Sequence, residues 1–145
     1  MPSARTDPYK NFNFRVEIEG VAAGQFAEVS GLAAEAEVVE YREGADKLTS
    51  SRKLPGRVRY PNVTLRRGLT SSRDLWNWWK TVRDGALERR TVVITLLSDA
   101  GEPLLRWVLR NAWIAKIEAP DLNAEGNEVA IETIELAHEG LELDD

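Results

Sequence analysis

Phe12, Phe14, Val16 and Ile18 alternate with Asn13, Arg15, Glu17 and Glu19 ahead of Gly20. That is the period-two pattern of a strand with one buried face. The same period recurs along most of the chain. Residues 25–29 read as a short second strand ended by Ser30-Gly31. Residues 36–43 read as a third, with Val39 and Tyr41 on one side and Glu40 and Arg42 on the other. Residues 58–67 read as a fourth, in which Pro61 marks an edge or a bulge because proline cannot donate to a ladder. Residues 91–97 are almost wholly apolar or β-branched, as in a strand covered on both faces. Ser98-Asp99-Ala100-Gly101 then supplies a hairpin turn into a strand over residues 103–113. Residues 127–138 form the last long strand, and it changes phase: Val129 and Ile131 share one face, Ile134 and Leu136 the other. A bulge reconciles the halves, as does a strand that buries one face inside the subunit and the other against a neighbour.

One segment departs from period two. Leu75, Trp78, Trp79 and Val82 fall at i, i+3, i+4 and i+7, a single helical stripe. Ser71 is placed as the N-cap with Asp74 three residues on, Lys80 and Arg83 occupy the last turn, and Gly85 ends the helix. Burying one tryptophan of the stripe, on the order of 200 Å², contributes about 5 kcal/mol gross, so the stripe anchors the helix on the sheet. Trp76 lies off the stripe, either on the margin of the same core or in an outer-face or intersubunit contact with Arg73 and Lys80 beside it.

Residues 44–57 show little period of either kind. A loop of that length is uncommon in a compact domain and is usually functional or disordered. It carries Leu48 and Leu54 among Asp46, Lys47, Ser50, Ser51, Arg52 and Lys53, and a solvated loop has little use for leucines. It reads as a docking loop, with a mobile tip as the alternative.

The 145 residues suit one domain, 1–145, with an N-terminal arm at 1–9. The start reads as no secretory signal, and no apolar run approaches a membrane span. The absence of cysteine removes disulfides and thiolate sites. Net charge is −5, but its distribution says more. Residues 48–73 hold no acid and seven basic residues, while residues 117–145 hold acids and no Lys or Arg. Copies meeting head to tail can match the two, which favours register over raw affinity.

The chemical inventory is thin. His138 is the single histidine, and a lone histidine at a strand end is more often a structural hydrogen-bonding residue than a ligand. No Gly-x-Ser-x-Gly elbow or phosphate-binding glycine loop is present. The many acids fall on alternating strand positions that face water. Asn62-Val63-Thr64 matches a glycosylation sequon by coincidence. The basic stretch suggests nucleic acid, yet the chain is acidic overall and its aromatics form no stacking platform. No catalytic residue, metal site or cofactor follows. What remains is the sheet edge. An open sheet leaves two, and pairing one with the next copy gives a heterologous contact that closes into a ring or runs on as a filament.

The order of several motifs then resembles a known family. Phe12-Asn13-Phe14-Arg15-Val16-Glu17-Ile18-Glu19-Gly20, Phe26-Ala27-Glu28-Val29-Ser30-Gly31-Leu32 and Tyr41-Arg42-Glu43-Gly44 are followed by Lys53-Leu54-Pro55-Gly56 and Leu65-Arg66-Arg67-Gly68-Leu69-Thr70. Leu75-Trp76-Asn77-Trp78-Trp79, Asn111-Ala112-Trp113, Glu128-Val129-Ala130-Ile131-Glu132 and Glu135-Leu136-Ala137-His138-Glu139-Gly140 complete the set. Over residues 8–142 the chain resembles the phage tail tube family, the inner tube subunits of contractile tails and of extracellular contractile injection systems. The resemblance implies a mainly β (α+β) antiparallel sandwich or barrel with one flanking helix, assembling into hexameric rings around a wide lumen. It implies a structural conduit, not an enzyme, driven through an envelope by sheath contraction. Its partners would be further copies of the chain, a sheath protein, baseplate or hub proteins, a tube-terminating cap and lumen cargo. The particle would assemble in the cytoplasm, with release by lysis left open. The family's docking loop maps onto residues 44–57. A baseplate-proximal tube initiator and type VI secretion tubes share the pattern. The competing reading is a monomeric β-rich binding module whose basic loop grips an acidic partner, and charge reversal at Arg52 and Lys53 separates the two.

Overall fold

A computed structural model describes residues 13–21, 26–42, 44, 51–126 and 130–144. The described elements are β1 (Phe14–Ile18), β2 (Glu28–Ser30), β3 (Glu35–Tyr41), β4 (Arg52–Arg59), β5 (Val63–Gly68), α1 (Asp74–Arg83), β6 (Arg90–Leu97), β7 (Pro103–Glu118), β8 (Ile131–Ala137) and β9 (Gly140–Asp144).

The period-two segments become strands that pair antiparallel throughout. β7 organises them. Its first half pairs with β6 on one side and β9 on the other, whereas its second half pairs with β8. Between the halves sits Asn111 at φ 54, a left-handed conformation that asparagine tolerates better than most side chains. One half-sheet thus runs β1-β6-β7-β9 and the other β7-β8-β5-β2. The strand extends to Glu118, past the expected end at Trp113.

The core lies where the inward faces meet. Val16, Ile18, Val92, Ile94 and Leu109 come from the first half-sheet, and Val63, Leu65, Ile114, Ile134 and Leu136 from the second. Leu75 and Trp78 of α1 are buried with them, and Trp79 packs on their margin, as the helical stripe requires. Trp78 Nε1 donates to the Glu88 carbonyl at 2.8 Å, so its one polar atom is satisfied inside. Trp76 belongs neither to this core nor to its partly buried margin.

The expected Ser71 cap does not form. The helix starts at Asp74 with Arg73 as N-cap and no side-chain capping bond. Ser72 Oγ instead accepts from the Asp74 N–H at 3.4 Å. Gly85 does end the helix, at φ 75, with its N–H on the Val82 carbonyl at 3.2 Å.

Two further corrections concern strands. Residues 52–57, expected within a loop, form most of β4, paired with β3. The expected strand over 58–67 is split, with Pro61 between β4 and β5. In β8 the core face is regular through Glu132, Ile134 and Leu136, so no bulge explains the phase change. Val129 lies outside the described residues. Glu132, expected to face water, occupies a core position opposite Arg67.

Candidate assembly surface

β3 and β4 form a separate two-stranded sheet that contacts no other strand or helix among the described residues. The ribbon prolongs the β2–β5 pair, since Ser30 faces Thr64 and, beyond the turn at residues 31–34, Glu35 faces Arg59. Gly31 makes that exit: its φ is 91, and a Cβ there would lie 2.4 Å from the Asn62 carbonyl oxygen.

The register assigns side chains to two faces. Ala36, Val38 and Glu40 lie opposite Val58, Pro55 and Lys53, whereas Val39 and Tyr41 lie opposite Leu54 and Arg52. A bulge between Ala36 and Val38 brings Gly56 under β3, where a Cβ would stand 2.9 Å from Val39 Cγ2. Both faces carry exposed apolar groups, Val38 at 61% and Val58 at 60% on one and Leu54 at 48% on the other. An isolated two-stranded hairpin is marginal in water, and apolar area on both faces calls for cover that none of the other described strands or the helix supplies.

Charge is divided in the same way. The cations of the body are paired: Arg15 with Glu17, Arg66 with Glu28, Arg67 with Glu132, Arg89 with Glu139, Arg90 with Glu88, Arg106 with Asp144, Arg110 with Glu142 and Lys116 with Glu118. Among the described residues no ion pair holds Lys53, Arg57 or Arg59 of the ribbon, or Arg73 and Lys80 of α1. The Arg110–Glu142 pair is bidentate at 2.9 and 3.0 Å. The hydrogen bond from Arg110 holds the Glu142 carboxyl below its ordinary range. Asp84 is lowered likewise by the hydrogen bond from Arg83.

Of the residues expected in the docking segment, Arg52, Lys53 and Leu54 stand in β4, all exposed. Asp46, Lys47 and Leu48 lie outside the described residues, as does the N-terminal arm. Arg73, Trp76 and Lys80 come together on the outward side of α1, where Trp76 is exposed. β3, read as a strand with one apolar side, is exposed along its whole length.

A polar cleft of about 340 Å³ opens between α1 and the start of β6, lined by Asp74, Asn77, Thr81, Glu88 and Arg90. Arg90 lies 5.2 Å from the Trp78 ring centroid and 2.7 Å from Glu88, so its charge is already satisfied. Among the described residues no group of three or more His, Cys, Asp or Glu gathers as a metal site, and no helix is long and apolar enough to cross a membrane. His138 is buried, its Nδ1 3.1 Å from the Gly140 carbonyl and its ring 5.5 Å from Tyr60.

The family described as T4-like virus tail tube protein gp19 matches residues 10–142. No curated protein sequence matches. Among solved structures, a chain of the PVC sheath-tube complex of an extracellular contractile injection system, in the extended state, is 28% identical with a TM-score of 0.83, covering 96% of this chain and 93% of that one. A chain of the PVC sheath/tube terminator is 28% identical with a TM-score of 0.85, covering 98% and 100%. A chain of the anti-feeding prophage tube terminating cap is 27% identical with a TM-score of 0.83, covering 99% and 95%. Hcp1 from Flavobacterium johnsoniae, at 13% identity and a TM-score of 0.61 over 91% and 94%, shares the fold.

Proposed function

The chain belongs to the T4-like virus tail tube protein family, and on that premise we propose that its copies close into hexameric rings that stack as the hollow inner tube of a contractile injection particle. The observation that carries this reading is the β3–β4 ribbon, with exposed apolar groups on both faces and in contact with no other described strand or helix of its own subunit. A second copy supplies the missing cover. Docking of the ribbon is heterologous, one surface meeting a different one, which is the geometry that closes rings or propagates tubes. Arg52, Lys53 and Leu54 act in that contact, and Asp46, Lys47 and Leu48 at the tip extend it.

The outward face of α1 is the contact for a surrounding sheath protein. Trp76 supplies apolar area there, and Arg73 and Lys80 supply charges with no ion pair among the described residues. A baseplate hub below and a terminating cap above complete the partners, by analogy with the assemblies in which the similar chains occur. The tube is a conduit for lumen cargo and performs no catalysis. It assembles in the cytoplasm and leaves with its particle.

Mass photometry tests the ring directly. The expected species is six times the 16.3 kDa chain. A monomer that binds a foreign acidic protein through Arg52 and Lys53 would establish the binding-module reading in its place.

A further inference from the structure

We propose that the loop joining β7 to β8, centred on Leu122, is the receiving surface for the ribbon of a second copy stacked head to tail. This deepens the tube reading and rests on it. The argument begins with the rows of the second half-sheet. Ile114, Leu136 and Val63 stand side by side in one row, and Glu118, Thr133, Arg66 and Glu28 in another. The ribbon leaves from the first end, where β5 begins at Val63. The β7–β8 loop leaves from the opposite end, where β7 stops at Glu118. A head-to-tail stack along these strands therefore brings the ribbon of one copy to the β7–β8 loop of the next.

The two surfaces are complementary in chemistry. Val38, Leu54 and Val58 of the ribbon offer apolar area, and Lys53, Arg57 and Arg59 offer cations with no ion pair among the described residues. In the loop Leu122 is 82% exposed, more than any other exposed large hydrophobic residue described. Asp121 and Glu125 flank it, both exposed and with no ion pair among the described residues. The loop is held in shape from within. The Gly126 and Glu125 N–H groups donate to the carbonyl and the side-chain oxygen of Asn123, at 3.1 and 3.0 Å. Glu125 is thus displayed on a fixed turn that does not consume its carboxylate, and Asp121 precedes that turn. Pairing these charges across copies sets register, and covering Leu122 removes its apolar surface from water.

The test uses the full chain and charge exchange. Arg57→Glu with Arg59→Glu, and Asp121→Arg with Glu125→Arg, are made separately and together, and Leu122→Asp is made alone. Thermal melts verify folding; the mutated side chains are exposed, so the melting transition should stay put. Tube mass is read by sedimentation and negative-stain electron microscopy. Each reversed pair alone should lower tube mass at least about tenfold while rings persist, because like charges then face each other across the stack. Leu122→Asp should do the same, because it puts a charge where apolar side chains are to be covered. The combined variant should restore tubes. Tubes from the parent with no rescue in the combined variant would overturn the assignment, as would normal tubes from Leu122→Asp. So would rescue of the ribbon variant by reversing Asp99 and Glu102 instead. A parent that forms neither rings nor tubes contradicts the tube reading itself, a separate outcome.

Discussion

Arg67 of β5 stands directly opposite Glu132 of β8, with Nε 3.0 Å from Oε2 and both side chains 2% exposed. The Phe26 ring lies over the guanidinium, its centroid 5.5 Å from Cζ, and Nη2 is buried without a hydrogen-bond partner. Such a pair is a weak source of stability, because desolvating two charges offsets their attraction, while losing one partner strands the other. Here it fixes which residues of β5 and β8 face each other, since a one-residue slip of either strand would carry its charge to the opposite face and leave the other buried and unpaired.

Arg67→Met alone should therefore destabilise the fold by about 3–5 kcal/mol, by leaving Glu132 buried and unpaired. Arg67→Met with Glu132→Leu should recover most of that loss. Urea denaturation of the single and double variants reads both. An additive double variant would show that the two residues do not act as a pair.

Trp78 carries the contact between α1 and the core, so Trp78→Ala should cost about 3–5 kcal/mol. Trp76→Ala, on the exposed side, should stay within about 0.5 kcal/mol of the parent. Chemical denaturation followed by circular dichroism separates the two.

Gly56 tests whether the ribbon is an assembly element and not part of the stable body. A Cβ there would stand 2.9 Å from Val39 Cγ2 and 3.3 Å from Glu37 Cβ, so Gly56→Ala must shift one strand against the other. The melting transition should hardly move, since no core residue lies in the ribbon. Tube yield by sedimentation should fall.

The Arg110–Glu142 pair predicts a small acid effect. The hydrogen bond from Arg110 lowers the Glu142 pKa from its ordinary 4.5. A carboxylate depressed in the folded state contributes stability above its unfolded value and loses it as pH falls through the folded one. The deficit of Glu142→Gln should be visible in melts at neutral pH, vanish in acid, and shrink in high salt because the pair is exposed.

Much of the fold is legible in the sequence because most strands bury one face of their own subunit. β1 and β6 read correctly from apolar alternation and β-branched density, and α1 from the spacing of Leu75, Trp78, Trp79 and Val82. The failures have separate causes. Residues 52–57 showed no period because the ribbon buries neither face within the subunit, so nothing selects one side as apolar. The phase change of the last strand arose because Glu132 takes a core position that the pattern reserves for an apolar residue, its charge answered by Arg67, 65 residues away in sequence. Helix capping failed for a local reason: Ser72, not Ser71, reaches the first turn. The candidate assembly surface was visible only in outline, as leucines in a segment with no core to bury them.

The central claim is that the ribbon builds the tube and does little for the subunit. Negative-stain electron microscopy of the parent beside Val38→Asp with Val58→Asp tests it most directly. The account predicts hollow rings and tubes from the parent, and folded subunits without tubes from the variant. Equal tubes from both, or a parent that stays monomeric at every concentration even with its baseplate supplied, would contradict it.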